Sequence, residues 1–427
     1  MKFERSLKYL ESAKKLIPTA SQTYSKSYKY FCEGVSPVFL SHGKGGYVWD
    51  IDGNKFIDFI CGLGAITIGY CDERIDNEIK KQLDSGIIFS QPTLLEVRLA
   101  KKLVDLIPCA EMVKFFKNGS DSTFAAIKLA RAFTNKYMIF CCGYHGMHDW
   151  YIGSHPESLG IPDPIKRLTK QFKYNDIESL KKLFKEHKDN VAAVIMEPMK
   201  TNEPNKGFLE EVKKLTHENG ALLIFDEVYS GFRMGIMAHK LLKVNPDMVT
   251  LGKGMANGMP ISAVVGSKEV MSQIDKGVFL STTFGGEALS LASALATIEI
   301  LEKPESYEHL YNLGKLWIDE VKGLINEYDL NEVIEVYGNP YYNGLIFHDK
   351  GKLFKEDLFS VYQQRLIQEG ILNLGNNNFC LHHTREDVKK FVKAVKSAFF
   401  DIRLVIRENS VDSILKGKKY RPIFKRR

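Results

Sequence analysis

Between residues 191 and 228 the chain reads VAAVIMEP (191–198), then FLEEVKKLTHENG (208–220), then ALLIFDEV (221–228). Two unbroken apolar, β-branched runs flank one amphipathic segment, and this alternation constrains the fold more than any other feature. A strand with one wet face alternates apolar and polar residues. A strand apolar at every position has to be covered on both faces, which is what crossover helices do for a parallel sheet. The segment between the runs supplies such a helix, with Phe208, Val212 and Leu215 on one face and Gly220 as its stop. Upstream, EMVKFFKNGSDSTFAAIKLARAFTNK (111–136) reads as strand, tight turn and helix, with Phe124, Ile127, Ala130 and Phe133 as its stripe. PDMVTLG (246–252) is a further strand. The expected class is α/β, with a large domain on a mostly parallel central sheet.

The ends read differently. GGYVWDIDGNKFIDF predicts a hairpin with its turn at Asp52-Gly53. MKFERSLKYLESAKKLIP predicts an amphipathic helix through Phe3, Leu7 and Leu10. After Pro304 come long amphipathic helices and a short strand near GLIFHD. A chain of 427 residues exceeds one ordinary core. The expected division is 1–60 and 311–405 as the two parts of a smaller α+β domain, 61–310 as the large domain, and 406–427 as a basic tail.

Charge and composition exclude several function classes. The net charge is +7, but residues 410–427 hold seven basic side chains against Asp412 alone. The body is therefore near neutral and offers no nucleic-acid face, while the tail reads as a solvated extension able to touch an anionic partner. No apolar run is long enough to cross a bilayer, and the N-terminus is too charged for a signal peptide. A cytoplasmic location is expected. The seven cysteines form no Cys-x-x-Cys pair and read as reduced, mostly buried thiols. His145 and His148 stand as His-x-x-His without a third ligand at metal spacing, so no metal is expected.

Ligands of open parallel sheets collect at the carboxyl ends of the strands. Four stretches fall there. In KNGSDS (117–122), Gly119 and Ser120 open a helix whose unpaired N–H groups suit an anion, or the turn is an ordinary capped one. Asp121 would have to point away from a phosphate. Asp226 ends an apolar run, either as a cap or ion pair or as counter-ion to a protonated ring nitrogen; Glu197 ends the neighbouring run in the same way. Lys253 stands between Gly252 and Gly254, either facing solvent or as a nucleophilic amine that a flat ring can approach. Tyr144, in CCGYHGMHDW, can stack on a planar ligand. Together these are the needs of pyridoxal phosphate: an anion cradle, an aromatic lid, an acid for the ring nitrogen and a lysine for the aldehyde.

With these residues in place, the chain resembles the class III pyridoxal-phosphate aminotransferases of fold type I, nearest to the branch containing glutamate-1-semialdehyde aminomutase. The likeness runs from about Val35 to about Ala398, through YVWDIDGNKFIDF, FFKNGSDSTFAAIKLARAFT, YHG, AAVIMEP, LLIFDEVYSGFR, PDMVTLGKGMANGMPISAVVG and STTFGGEALSLA. The resemblance implies that Lys253 carries the cofactor and shuttles a proton, and that Asp226 keeps the pyridine nitrogen protonated. It implies Val228 and Tyr144 on the two ring faces and Gly119 with Ser120 at the phosphate. Glu197 and His145 match active-site positions of variable role. Thr283 matches a threonine that reaches the phosphate from the other subunit, which implies a homodimer with shared sites. Where the aminomutases carry an arginine after Ser36-Pro37-Val38, this chain has Phe39 and Leu40. That apolar pair suits a small-molecule carbonyl acceptor without a carboxylate at that point; the chain is also similar to aminotransferases of surface-polysaccharide and sugar pathways, and this resemblance implies an oxo-sugar or related surface-polysaccharide precursor as acceptor, with glutamate as the expected donor. An intramolecular amine shift of the aminomutase kind and a non-catalytic scaffold using the basic tail are the alternatives.

Overall fold

The computed structural model describes residues 1–199 and 201–421. The chain forms two compact units, Glu73–Tyr307 and a second made of Met1–Asp72 with the chain from Glu308 onward.

The smaller unit begins with helix α1 (Glu4–Leu16), which buries Phe3 and Leu10. Strands β1 (Leu40–Lys44), β2 (Tyr47–Asp50) and β3 (Lys55–Asp58) follow as an antiparallel meander. The β2–β3 turn is the expected one, with Gly53 at φ +87°, where a side chain is disfavoured.

The larger unit holds seven strands: β4 (Met112–Phe116), β5 (Met138–Cys142), β6 (Thr169–Gln171), β7 (Val191–Met196), β8 (Leu222–Asp226), β9 (Met248–Leu251) and β10 (Ser262–Gly266). Their order in the sheet is β4-β10-β9-β8-β7-β5-β6, with β10 antiparallel to both neighbours and the pairs from β9 to β6 parallel. The unbroken apolar runs have the predicted cause. Ile139, Cys141, Ala193, Ile195 and Ile224 face one buried cluster, and Phe140, Cys142, Val194, Met196 and Phe225 face another. Helix α2 (Gly119–Thr134) covers the first face. Helices α3 (Ile177–Glu186) and α4 (Phe208–Glu218) cover the second, through Leu180, Phe184, Phe208 and Val212. Each such buried Leu, Ile or Phe stabilises the fold by about 1.5–3 kcal/mol.

One expectation on α2 fails. Phe124 is exposed and stacks on His148, with ring centroids 5.1 Å apart. At about 100° per residue, a repeat of three drifts around the helix, so Phe124 and Phe133 stand on opposite sides. The buried face is carried by Thr123, Ala126, Ile127 and Ala130.

Helix α5 (Ala288–Leu301) is buried on nearly every side. Helix α6 (Pro304–Glu327) then leads the chain into the smaller unit, where β11 (Ile334–Asn339), β12 (Tyr342–Phe347), α7 (Lys355–Gln368), β13 (Ile371–Leu372), β14 (Asn376–Asn377) and α8 (Arg385–Glu408) complete it. β13 pairs in parallel with β3, Ile371 beside Ile57, so both chain ends share one sheet. The tail is not the expected solvated extension as far as Arg421. Buried Gln364 accepts from the amides of Lys416 and Gly417 (2.8 and 3.1 Å) and donates to the Ile414 carbonyl (2.9 Å). Lys418 pairs with Glu33, Lys419 with Asp357, and the Tyr420 ring lies 4.7 Å from that of Phe359. A buried amide needs partners, and the tail supplies them. Lys425, Arg426 and Arg427 lie outside the described residues. Among the described residues no helix is long and apolar enough to cross a membrane.

Candidate active site

Parallel pairing puts the ends of β5, β7, β8 and β9 on one edge of the sheet, with Met196 beside Phe225 and Asp226 beside Thr250. Asp226 is 3% exposed. Burying a carboxylate costs several kcal/mol unless hydrogen bonds replace its water, and three do. His145 Nδ1 lies 2.7 Å from Oδ2, the Thr250 hydroxyl donates to Oδ1 at 2.9 Å, and the Val228 amide donates to Oδ1 at 3.1 Å. An ionised Asp226 makes Nδ1 the donor. His145 is itself held from behind, because Thr123 Oγ1 donates to its carbonyl at 2.8 Å. Its Nε2 is buried with no hydrogen-bond partner among the described residues.

Gly119, Val228 and Gly252, distant in sequence, converge here. A Cβ at Gly119 would stand 2.5 Å from Val228 Cγ1, and one at Gly252 would stand 3.2 Å from the same methyl. Only bare backbone lets the start of α2, the Val228 side chain and the end of β9 meet. Lys253 follows at φ +32°, a left-handed conformation costing a non-glycine residue about 1–3 kcal/mol. Its Nζ lies 5.3 Å from the centroid of the Tyr229 ring.

Helix α2 opens with a reciprocal cap. The Asn118 side chain takes an amide of the first turn, and Asp121 turns back to accept from the Asn118 amide at 2.9 Å. Its other oxygen lies 3.3 Å from His148 Nε2. The Asp121 carboxylate is thus engaged by the cap residue itself, and the amides of Gly119 and Ser120 are left without intrahelical partners. Ser120 Oγ accepts from the Met147 amide at 3.1 Å, and a Cβ at Gly146 would collide with it. Lys117, in the same turn, is committed elsewhere: Nζ lies 2.9 Å from Glu287 Oε2 and 3.2 Å from Ser290 Oγ. Burial pushes the Glu287 carboxyl up, but Ser290, Lys117 and the Leu289 amide outweigh it and hold it below its ordinary value.

Tyr144 is half-buried, and its amide donates to Glu197 Oε2 at 3.1 Å; a Cβ at Gly143 would stand 2.6 Å from that oxygen. Glu197 thereby fixes the strand exit that carries Tyr144 and His145. The structure brings Asp226, His145 and Val228 into contact, joins Gly119 to Val228, and links Glu197 to Tyr144. It does not bring Thr283 to them. Thr283 is exposed in the stretch ahead of α5 and makes no hydrogen bond to the others among the described residues.

Three residues escaped the sequence reading. Thr250 announces itself only through its register beside Asp226, and Thr123 only once α2 packs on the β5 exit. Glu227, fully buried beside Asp226, accepts from the amides of Ala238 (2.7 Å) and His239 (2.9 Å), from Ser230 (3.0 Å), and from His239 Nδ1 at 2.5 Å. It pins the loop leaving β8; an acid following an acid in FDEV was its signal.

Solved structures share this architecture. FumI of Sphingopyxis sp. MTA144, in its PLP form, superposes with a TM-score of 0.87 at 27% identity, covering 95% of this chain and 97% of that one. The class is therefore that of the pyridoxal-phosphate-dependent transferases of fold type I. Within it, the chain belongs to the class III aminotransferases, whose family model, Aminotransferase class-III, matches residues 30–347. Two relatives match over nearly their whole length. A 3-aminobutyryl-CoA aminotransferase of Cloacimonas acidaminovorans is 36% identical over 95% of this chain and 99% of its own. A glutamate-1-semialdehyde 2,1-aminomutase 2 of Oceanobacillus iheyensis is 34% identical over 94% of this chain and 100% of its own. Pyridoxal phosphate is the cofactor of this enzyme, and the donor set fits it: N–H groups open at a helix mouth, an apolar Val228, a buried carboxylate and an amine between glycines.

Proposed function

We propose that the chain is an aminotransferase moving an amino group from an amino donor, glutamate in the first instance, to a carbonyl acceptor in two half-reactions. The observation that carries the reading is the threefold-held Asp226 on β8, beside the strand that ends at Gly252-Lys253. When bound, pyridoxal phosphate supplies a sink for the electrons left when a proton leaves the amine-bearing carbon. Lys253 Nζ would hold the cofactor's aldehyde and would serve as the base that takes that proton and returns it. Asp226 would face the ring nitrogen as its counter-ion, and His145, Thr250 and the Val228 amide hold the Asp226 carboxylate in place. Val228 and Tyr144 would flank the ring, Glu197 positions Tyr144 through its amide, and the Gly119 and Ser120 amides would hold the phosphate.

Thr283 of a second copy would complete the phosphate site, making the enzyme a homodimer. Exposed Phe89, Val97, Phe279 and Phe284 on the segments around Thr283 support an apolar partner surface there. A cytoplasmic site of action belongs to the same reading and is supported by seven free cysteines.

For the acceptor we infer a carbonyl compound without a free carboxylate where the aminomutases use their arginine: an oxo-sugar, or an oxoacyl thioester such as the 36%-identical relative's name points to. Phe39, at that position, packs in an apolar cluster with Leu10, Ala13 and Ala20. The 34%-identical aminomutase supports the second reading, an intramolecular amine shift.

The test is the visible spectrum with and without glutamate, followed by a screen of oxo-sugars and oxoacyl thioesters against the aminated enzyme. The expected result is loss of the cofactor band with the donor and its return with one acceptor class. A wild type left colourless by added cofactor defeats the proposal, as does full turnover by Lys253→Ala. Sustained turnover of a semialdehyde without donor would favour the amine shift.

A further inference from the structure

Tyr229 enters no step of the transamination reading, yet its ring meets the reactive amine. Lys253 Nζ lies 5.3 Å from the ring centroid, and an ammonium within about 6 Å of an aromatic centroid is attracted to the electron-rich face. Given the aminotransferase reading, on which the role rests, we propose that Tyr229 is a positioning residue for proton transfer. The face of its ring stabilises the Lys253 ammonium while that amine holds the proton.

The sheet fixes where the ring stands. Asp226 pairs with Thr250, and the Glu227 amide donates to the Thr250 carbonyl at 2.9 Å, which carries the β8–β9 ladder past the end of β8. Tyr229 and Lys253 each follow that bond by a few residues. Val228, just before Tyr229, is seated against Gly119 and Gly252. Gly231, just after it, closes a turn: its amide donates to the Glu227 carbonyl at 2.9 Å. A Cβ at Gly231 would stand 2.8 Å from that oxygen and 3.4 Å from Leu251 Cδ2. The turn that carries Tyr229 is therefore packed on the end of the strand that leads to Lys253.

The far side of the turn is fastened as well. Ser230 and the Ala238 and His239 donors on the buried Glu227 carboxylate tie the loop after Tyr229 back to the end of β8. Tyr229 is 8% exposed, so its ring cannot leave for solvent unless that cluster opens. Ring and lysine stem are thus mounted on two fixed supports.

The need for the ring follows from the proton's path. A C–H bond of the amine-bearing carbon breaks, its electron pair stays behind, and an N–H bond forms on Nζ; the return reverses this. In between, the half-buried Lys253 is a cation, and burial disfavours charge. The titratable groups on the converging elements have partners of their own. His145, Thr250 and the Val228 amide surround Asp226, and four donors surround Glu227. Lys117 pairs with Glu287, and Asp121 is engaged by Asn118. A carboxylate dedicated to Lys253 would hold the proton against its return. A ring face attracts the cation more weakly and forms no bond to the proton.

The experiment reads Lys253 itself. The full-length apoenzyme is acetylated briefly with acetic anhydride across a pH series, and the Lys253 peptide is quantified by mass spectrometry. Tyr229→Leu should lower the pH midpoint of labelling by about 0.5–1.5 pH units. Tyr229→Phe, which keeps the face, should lower it by less than about half as much. Phenylalanine at position 229 with one, two or three ring fluorines keeps the shape and drains the face, so the midpoint should fall stepwise. This series decides if the leucine variant does not fold. In the cofactor-loaded enzyme the donor half-reaction, followed above the midpoint by stopped-flow absorbance, should slow in the same order. A midpoint indifferent to fluorine overturns the proposal, and so does a half-reaction rate that does not follow it. An ordered labelling series beside full turnover by Lys253→Ala would instead defeat the aminotransferase reading, and the role with it.

Discussion

Gly119→Ala tests whether the mouth of α2, the Val228 side chain and the Asp226 carboxylate form one rigid seat. The added methyl would stand 2.5 Å from Val228 Cγ1 and 3.1 Å from Cγ2. Carbon atoms rest at about 3.5–4.0 Å, so Val228 has to retreat by about 1 Å. Its backbone resists, since its amide is tied to the Asp226 oxygen that also takes the Thr250 hydroxyl. Overpacking of this kind costs about 1–3 kcal/mol, and alanine's helix preference returns at most about 1 kcal/mol. A net loss of about 1–2 kcal/mol weakens cofactor binding about fivefold to thirtyfold, read by absorbance titration of the apoenzyme. Val228→Ala removes both offending methyls. In the double variant the two changes should fail to add by about 1 kcal/mol or more, the second relieving the first. Strict additivity, or an affinity in Gly119→Ala within twofold of wild type, would refute the reasoning.

Other perturbations probe other parts of the structure. His145→Ala strips one of three partners from Asp226; a hydrogen bond to a charged group contributes about 1.5–3 kcal/mol, so the cofactor dissociation constant should rise at least about tenfold, and an unchanged constant counts against the role. Lys253→Ala should slow the donor half-reaction by about 10²–10⁴-fold in stopped-flow absorbance, the range of a lost proton carrier. Because Glu287 titrates lower when folded than its ordinary 4.5, its ion pair with Lys117 stabilises the enzyme above that pH and is lost as pH falls through the folded value. Glu287→Gln should therefore be less stable in urea at neutral pH and show a flatter decline below about pH 4.5; parallel curves would contradict this. Truncation after Asn409 removes the partners of Gln364 and should lower the midpoint of thermal unfolding, at a cost of about 1–3 kcal/mol for the orphaned amide.

The parallel sheet was legible because burial on both faces leaves no polar position in Val191–Met196 or Leu222–Phe225. Asp226 and Lys253 stood out as candidates because a charge at the end of a buried strand, or in the glycine-flanked turn beyond one, has few cheap explanations. Thr250 was not, since a threonine inside a strand is commonplace until register sets it beside Asp226. The α2 stripe misled because a spacing of three resembles a helical repeat over one turn and departs from it over three. The tail misled for a different reason: its charges advertise solvent, while the demand that holds it comes from Gln364, some fifty residues earlier in the chain. The acceptor was out of reach because pocket shape is a property of loops, whose course the residue pattern does not dictate.

Strand β10 runs back along β9, and only residues 252–261 join them. Lys253 is therefore mounted on a short strap fastened at both ends to fully buried strands. Its ammonium can travel only by torsion of its own four-carbon stem, with the backbone as a fixed pivot. Evolution or engineering that widens the substrate range has little to gain by lengthening this strap; diversification is left to exposed segments such as 156–164, which can change without moving the pivot.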